Sequence, residues 1–336
     1  MNWTLRALCL AALIAGSPAA AAPFRLITTD LTPQLVPNSV MDLAVELGYF
    51  AREGVDVELV RVQQTPSAIA ALRAGEGEMA NVSVDAALQL VARDQMRLKA
   101  VVSPNKTLPF LIAARTGIED PRGLEGKSFG VGRIGSLDYD LSRKVLASKG
   151  VDLDKIDFVA IGQPNVRALA LASGQIDATT MSIGVWLSLE DKTHAAVLVP
   201  PDAYFAAAPV INKVNVVPDT VLAARPDDVA AVVRAIVLAS RDFAAKPELW
   251  VDAMAKARPD VDRGTLEILA RQFAGSWSEN GGLSREALQA TVDQAYRSPD
   301  FDGLRKVGLD EWVDFAPLDA VLKADGVAPD HDRPGF

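Results

Sequence analysis

Apolar residues recur along this chain in two alternating rhythms. Runs such as FRLITT (Phe24–Thr29), KSFGVG (Lys127–Gly132) and IDFVAI (Ile156–Ile161) have the length and β-branched content of short buried strands. Between them, 39–52 and 137–149 carry apolar side chains three and four residues apart, the spacing of a helix with one buried face. The order then repeats. A second strand, Val55–Val62 or Ile156–Ile161, is followed by a helix with Pro66 or Pro164 in its first turn and Gly75 or Gly174 at its end. A third strand ends at Ser83 or Ser182.

The repeat is visible in the letters as well. Ala71-Leu72-Arg73-Ala74-Gly75-Glu76-Gly77-Glu78 matches Ala170-Leu171-Ala172-Ser173-Gly174-Gln175-Ile176-Asp177, and 99 residues separate both Gly75 from Gly174 and Ser83 from Ser182. Gly54-Val55-Asp56 pairs with Gly150-Val151-Asp152 upstream, and Thr65-Pro66-Ser67 with Gln163-Pro164-Asn165. Two lobes of the same α/β build, each with a mostly parallel sheet, follow from this alternation. The strand-rich stretch Leu98–Ala114 is expected to pass from lobe one to lobe two, and Pro200–Val217 to return. Beyond Pro226 the pattern is helical over Val229–Phe243, Thr265–Phe273 and Ser284–Tyr296, with Asp227, Gly264, Gly282 and Pro299 as punctuation. These helices are expected to cover lobe one. The division is therefore 22–110 with 208–336 for lobe one, and 111–207 for lobe two.

The first 21 residues stand apart. One arginine, an apolar run over Ala7–Gly16 and small residues at Ala19–Ala22 describe a secretory signal, with cleavage near Ala21. Cys9 is the only cysteine and lies inside that segment after Arg6-Ala7-Leu8, which is no lipobox, so a periplasmic protein without a lipid anchor is expected. Its formal charge moves from −9 to about −10 on processing. An acidic exported chain is a poor partner for nucleic acid or anionic membrane surfaces. No later apolar run reaches spanning length, so a soluble monomer is expected.

Candidate chemistry starts with GxGxxG at Gly130, Gly132 and Gly135. A dinucleotide site would need an acid at the end of the next strand, yet Ile161 runs into Gly162-Gln163-Pro164-Asn165. The glycines instead let the backbone approach a cleft. Ligands of open α/β sheets sit at the carboxyl ends of strands, beside helix N-termini. Six loops answer that description: Asp30–Ser39, Gln63–Ser67, Ser83–Asp85, Arg133–Leu137, Gln163–Asn165 and Ser182–Trp186. Their side chains are mostly neutral and polar, suited to a small polar solute. Gly135-Ser136 at a helix start is expected to hold an anionic or strongly polar group. Ser136 can also simply cap its helix, Ser83 and Ser182 read equally as helix caps, and Asp85 as an acid supporting a helix start. Arg133 reads as a counter-ion or as a solvated cation, and Trp186 and Tyr139 as stacking faces or as walls. Asp30, Asp42, Asp85 and Asp138 show no paired spacing, and no nucleophile elbow is present. With His194 and His331 as the only histidines, no metal site, cofactor or catalytic residue is assigned.

Five stretches carry a resemblance: AVELGYFAREGVDVELV (Ala44–Val60), ALRAGEGEMANVS (Ala71–Ser83), LEGKSFGVGRIGS (Leu124–Ser136), ALASGQIDA (Ala170–Ala178) and EWVDFAPLDAVL (Glu311–Leu322). The chain resembles the periplasmic substrate-binding proteins of ABC importers for nitrate, aliphatic sulfonates, taurine and thiamine pyrimidine precursors. The resemblance implies the two-lobed periplasmic binding protein fold, with a ligand cleft between lobes joined by two crossovers. It implies closure on one small polar molecule, anionic or heteroaromatic, and delivery to a membrane ABC permease. A ligand-sensing partner of a membrane signalling protein, or a secreted enzyme, are the other classes left open. Carried over by position, the ligand loops fall on Pro37-Asn38-Ser39, Thr65-Pro66, Ser83-Val84, Gly135-Ser136-Leu137, Gln163-Pro164-Asn165 and Ser182, to which Asp85 and Trp186 are added from the loops themselves. Asp85 departs from the family, where a neutral residue is more usual, and favours a ligand with an amine or ring N–H. The pyrimidine-forming branch of this superfamily carries a cysteine-rich motif and several histidines; the processed chain has no cysteine and only His194 and His331, so that self-consuming synthase chemistry is not expected.

Overall fold

Ten strands form two five-stranded sheets in a computed structural model that describes residues 22–106, 109–208 and 210–329. The signal segment, Cys9 and His331 lie outside the described residues. The first sheet has the order β2-β1-β3-β10-β4, from β1 (Phe24–Thr28), β2 (Val57–Arg61), β3 (Met79–Ser83), β4 (Leu98–Val102) and β10 (Lys213–Pro218). The second has the order β7-β6-β8-β5-β9, from β5 (Phe110–Arg115), β6 (Ser128–Val131), β7 (Asp157–Ala160), β8 (Ala178–Ser182) and β9 (Ala195–Val199).

The two orders are the same pattern. β1 pairs in parallel with β2 (Leu26 opposite Leu59) and β3 (Leu26 opposite Met79), and β6 does so with β7 and β8. Each sheet then takes one reversed strand, β10 or β5, antiparallel to both of its neighbours. Four strands therefore run one way and one runs back, so the sheets are mixed rather than parallel throughout. The reversed strand in each sheet is the one that enters by a crossover. The chain passes from β4 to β5, and returns through the helix Pro201–Ala207 into β10. The β9 strand, in AAVLV, had no counterpart in the sequence-based pattern.

Local sequence accounts for most helix limits. Thr65–Arg73 and Pro164–Ala172 both begin beside a proline and run to Gly75 and Gly174, each at φ +73°, a left-handed turn that glycine adopts without a Cβ penalty. The expected helix 39–52 is two pieces, Val40–Glu46 and Tyr49–Arg52, because Gly48 between them sits at φ +72°. No helix among the described residues is long and apolar enough to cross a membrane.

The C-terminal helices pack on the first sheet's helices, as Pro226–Ala245 meets Val40–Glu46, Tyr49–Arg52 and Ala316–Asp325. A further helix, Pro247–Ala257, carries the fully buried Trp250. Its ring packs edge-on to Phe273 (centroids 5.7 Å apart) and lies 6.4 Å from Trp277, which in turn meets Phe243 at 5.1 Å. Trp250 Nε1–H donates to Ser39 Oγ at 3.0 Å, which ties this layer to the start of the first lobe's first helix.

Candidate functional site

The carboxyl ends of β1, β6, β7 and β8 open onto a cavity of about 1090 Å³ between the two sheets. Asp30, residues 32–36, Asn212, Lys213 and Arg258 line one side; Gly132, Asp138, residues 162–165, Arg167, Thr180 and Ser182 line the other. Asn105, on the first crossover, completes the wall. At one margin the sides touch: a Cβ added to Gly184 would lie 3.2 Å from Leu35 Cβ and 3.3 Å from its carbonyl oxygen. A side chain at Gly184 would have to push the Leu35 loop back by a few tenths of an ångström.

Arg167 is the dominant charge of the second side and is 4% exposed. Its Nε–H donates to Thr179 Oγ1 at 3.1 Å, one terminal nitrogen to the Thr180 carbonyl at 3.1 Å, and the other to the Gly162 carbonyl. Asp138 Oδ2 lies 3.4 Å from the guanidinium and also accepts the Gly132 N–H at 2.8 Å. Burial pushes the Arg167 pKa down and the Asp138 charge opposes it. The glycine turn therefore already holds an anion, and that anion is the protein's own carboxylate. Ser136 joins it, with Oγ 2.5 Å from both Asp138 Oδ1 and the Arg133 carbonyl oxygen. This corrects the capping expectation for Ser136, whose hydroxyl makes no cap bond to the helix Leu137–Ser148.

The first side holds a looser pair. Lys213 Nζ donates to Thr29 Oγ1 at 2.6 Å and lies 4.0 Å from Asp30 Oδ2. Desolvation lowers the lysine's pKa, against the pull of Asp30, and raises that of Asp30, against the pull of Lys213. Arg258 donates to the Pro33 carbonyl at 2.9 Å and binds Asp260 with two contacts of 2.6 and 2.8 Å.

A second, smaller cavity of about 210 Å³ is lined by Ser83, Asp85, Gly135, Ser136, Asp140, Ser298 and Asp300, among others. The glycine turn is covered here by the C-terminal region: Ser298 Oγ–H donates to the Gly135 carbonyl at 3.2 Å, and Arg133 meets Asp300 at 3.0 Å. Desolvation first, then the charges of Asp140 and Asp300, push the Asp85 carboxyl up to about 6. The folded state thus holds the Asp85 proton more tightly than the unfolded chain, so this residue's contribution to stability falls as pH rises from about 4 to about 6. Asp85→Asn is expected to raise stability at pH 7.5 by about 1–2 kcal/mol and to make little difference at pH 4. Urea unfolding at the two pH values checks this; equal gains at both would place the effect elsewhere.

The sequence-predicted residues therefore separate. Gln163, Asn165 and Ser182 line the larger cavity, and Ser83, Asp85, Gly135 and Ser136 the smaller. Ser83 and Ser182 also cap their helices, accepting from Ala86 N–H at 3.4 Å and Val185 N–H at 3.2 Å. Asn38, Ser39, Thr65, Val84 and Trp186 line neither of these two cavities. Asn38 Nδ2 donates inward to Asn81 Oδ1 at 3.2 Å, and Ser39 is held by Trp250 and the Val36 carbonyl. Thr65 Oγ1 accepts the Ser83 N–H at 3.3 Å, and Val84 is buried. Trp186 packs against the core with Lys192 Nζ 5.7 Å from its ring centroid. Leu137 opens the helix after the glycine turn. Tyr139 packs against the second sheet's core, 5.0 Å edge-on to Phe158.

Arg167, Asn105 and Lys213 were missed. For Arg167 a signal existed, since the repeat places it opposite Ala68, a charge where the first copy carries a methyl. Among the described residues no group of three His, Cys, Asp or Glu side chains could hold a metal ion.

Residues 39–249 match the family model described as NMT1/THI5 like. Comparison with curated protein sequences gave no match. Among solved structures, the periplasmic sulfonate-binding protein SsuA from Methylobacillus flagellatus superposes with a TM-score of 0.71 at 16% identity, covering 94% of this chain and 98% of its own. The ligand-binding component of an ABC-type import system from Staphylococcus aureus follows at 0.69 and 15%, covering 89% and 98%. The similar structures are mostly binding proteins of transport systems, but the desulfurization enzyme DSZB is among them, at 0.63 and 17%, covering 90% and 99%. At these identities the likeness establishes the fold, that of the two-lobed periplasmic binding proteins. Since the family match spans more than half of the chain, the protein belongs to the NMT1/THI5-like family.

Proposed function

We propose that the protein is a periplasmic solute receptor, which captures one small polar molecule between its lobes and hands it to the permease of an ABC importer. The cavity between the two sheets carries this reading: it is built at helix starts and strand ends, and its lining sets neutral polar groups and internally partnered charges among apolar side chains such as Leu35, Phe110 and Met181. The lobes would be 22–110 with the chain from 208 onward, and 111–207, acting as near-rigid bodies about the crossovers in a monomer. The names of SsuA and of the import component support a transported solute; the name of DSZB supports an enzyme.

A thermal-shift screen of the purified protein against sulfonates, carboxylates, pyrimidines and amines tests the reading. A true solute at about 100 times its Kd is expected to raise the melting temperature by roughly 5–10 °C. Stabilisation without consumption supports a receptor. A stabilising compound that is turned over would support the enzyme, and no shift with any class would remove the receptor.

A further inference from the structure

We propose that the seam where the glycine turn of the second lobe meets the C-terminal region of the first is a proton-operated latch: carboxylates from both lobes converge there, and a proton on Asp85 keeps the lobes joined while its loss parts them. The inference rests on the lobes moving as near-rigid bodies, as in the receptor reading, and adds a control on that motion.

Three contacts cross the seam. Ser298 Oγ–H donates to the Gly135 carbonyl at 3.2 Å, Arg133 meets Asp300 at 3.0 Å, and a Cβ added to Gly135 would lie 3.7 Å from Pro299 Cδ. The smaller cavity, about 210 Å³, lies at this seam and is lined from both lobes. Asp85 reaches it from the first turn of the helix Val84–Ala92 and Asp300 from the turn Pro299–Phe301, both on lobe one. Asp140 reaches it from the first turn of the helix Leu137–Ser148 on lobe two. The nearby cations are engaged elsewhere: Arg133 is held by Asp300, and Arg143, 5.4 Å from the Tyr139 ring centroid, offsets Asp140. Gln89, Thr291 and Gln294 on the same wall are neutral.

Magnitudes decide which way the latch moves. The Arg133–Asp300 side chains are 63% and 40% exposed, and an ion pair so open to water contributes little. Asp85 matters more. Desolvation first, then the charges of Asp140 and Asp300, push its carboxyl up to about 6 in the joined form. Parting the lobes admits water and carries Asp140 away, which returns the carboxyl toward its ordinary value of about 4. A group whose pKa is higher in the joined form favours that form at low pH, and the benefit is lost as pH rises from about 4 to about 6. The ratio of joined to parted molecules is therefore expected to fall roughly tenfold from pH 5 to pH 7.5.

The test is energy transfer between fluorophores on Arg93→Cys and Lys149→Cys in the ligand-free processed chain, at pH 5 and pH 7.5 and one ionic strength. Both positions are exposed, and each follows a helix that starts at the seam, one on each lobe. Without residues 1–21 the chain has no other cysteine to take a label. The wild type should show the roughly tenfold change in ratio. Asp85→Asn should stay joined at both pH values, although the histidines still titrate. Asp140→Asn should shrink the response, and Arg133→Gln combined with Ser298→Ala should shift the lobes apart at both pH values. A response that survives in Asp85→Asn would overturn the inference; if that variant does not fold, an unchanged response in Asp140→Asn would do so. So would a wild type indifferent to pH whose lobes still part in the Arg133→Gln, Ser298→Ala variant. If neither pH nor any variant moves the labels, the rigid-body motion falls with the latch, while solute capture itself is still judged by the thermal-shift screen.

Discussion

Trp250→Ala is expected to cost about 3–5 kcal/mol of stability, the usual range for deleting a fully buried aromatic side chain. The loss has two parts. The ring fills the space between Phe273 and Trp277, and its removal leaves a cavity in the C-terminal layer. It also removes the donor that Ser39 Oγ accepts at 3.0 Å, at the entry to the helix Val40–Glu46. Trp250→Phe keeps most of the packing and loses the hydrogen bond, so it should cost less, about 1–3 kcal/mol. Urea denaturation of the three proteins measures this. A loss under 1 kcal/mol for alanine would show that the C-terminal layer contributes little to the first lobe.

The second large effect concerns the wall of the site. Arg167→Ala leaves Asp138 without its cation and strips donors from the Gly162 and Thr180 carbonyls and from Thr179 Oγ1. Removing one partner of a buried ion pair typically costs 3–5 kcal/mol, and a similar loss is expected here, roughly 3 kcal/mol or more. Asp138→Asn should be milder, about 1–2 kcal/mol, because the amide oxygen can still accept from Gly132 N–H. The double variant should cost less than the sum of the single ones, which is the signature of a coupled pair. Strict additivity in chemical denaturation would mean that the two charges do not act together.

Much of the fold was legible because it is written in residues that act locally. Pro66 and Pro164 start helices, Gly75 and Gly174 end them, and Ser83 and Ser182 close strands and cap the next helix; each needs only its neighbours to be read. The broken helix at Gly48 and the helix Pro247–Ala257 were harder. The apolar spacing through Gly48 is continuous, and only the glycine's dihedral interrupts it. Trp250 shows its role only once Phe273 and Trp277 are brought beside it.

The site was legible as a set of loops and not as a set of contacts. The loops after β6, β7 and β8 were placed correctly at strand ends, but which side chains turn inward depends on partners far away in sequence. Asn38 joins a buried chain of amides that no local pattern announces: its Nδ2 bonds Asn81 at 3.2 Å, whose own Nδ2 bonds Asn215 Oδ1 at 2.7 Å. Gly135-Ser136 looked like an anion seat, yet Asp138, two residues on, supplies the acid for Ser136 and Gly132. Lys213 and Asn105 lie on crossovers, where neither periodicity nor repeat gives a signal.

One solute is expected to bind in the cavity between the two sheets, touching both lobes. Hydrogen–deuterium exchange of the protein with and without a solute that stabilises it tests this most directly. Protection is expected together in 30–36 and 210–213 from one side, and in 162–169 and 180–189 from the other. Protection confined to one lobe, or to the smaller cavity around Asp85 and Asp300, would contradict it.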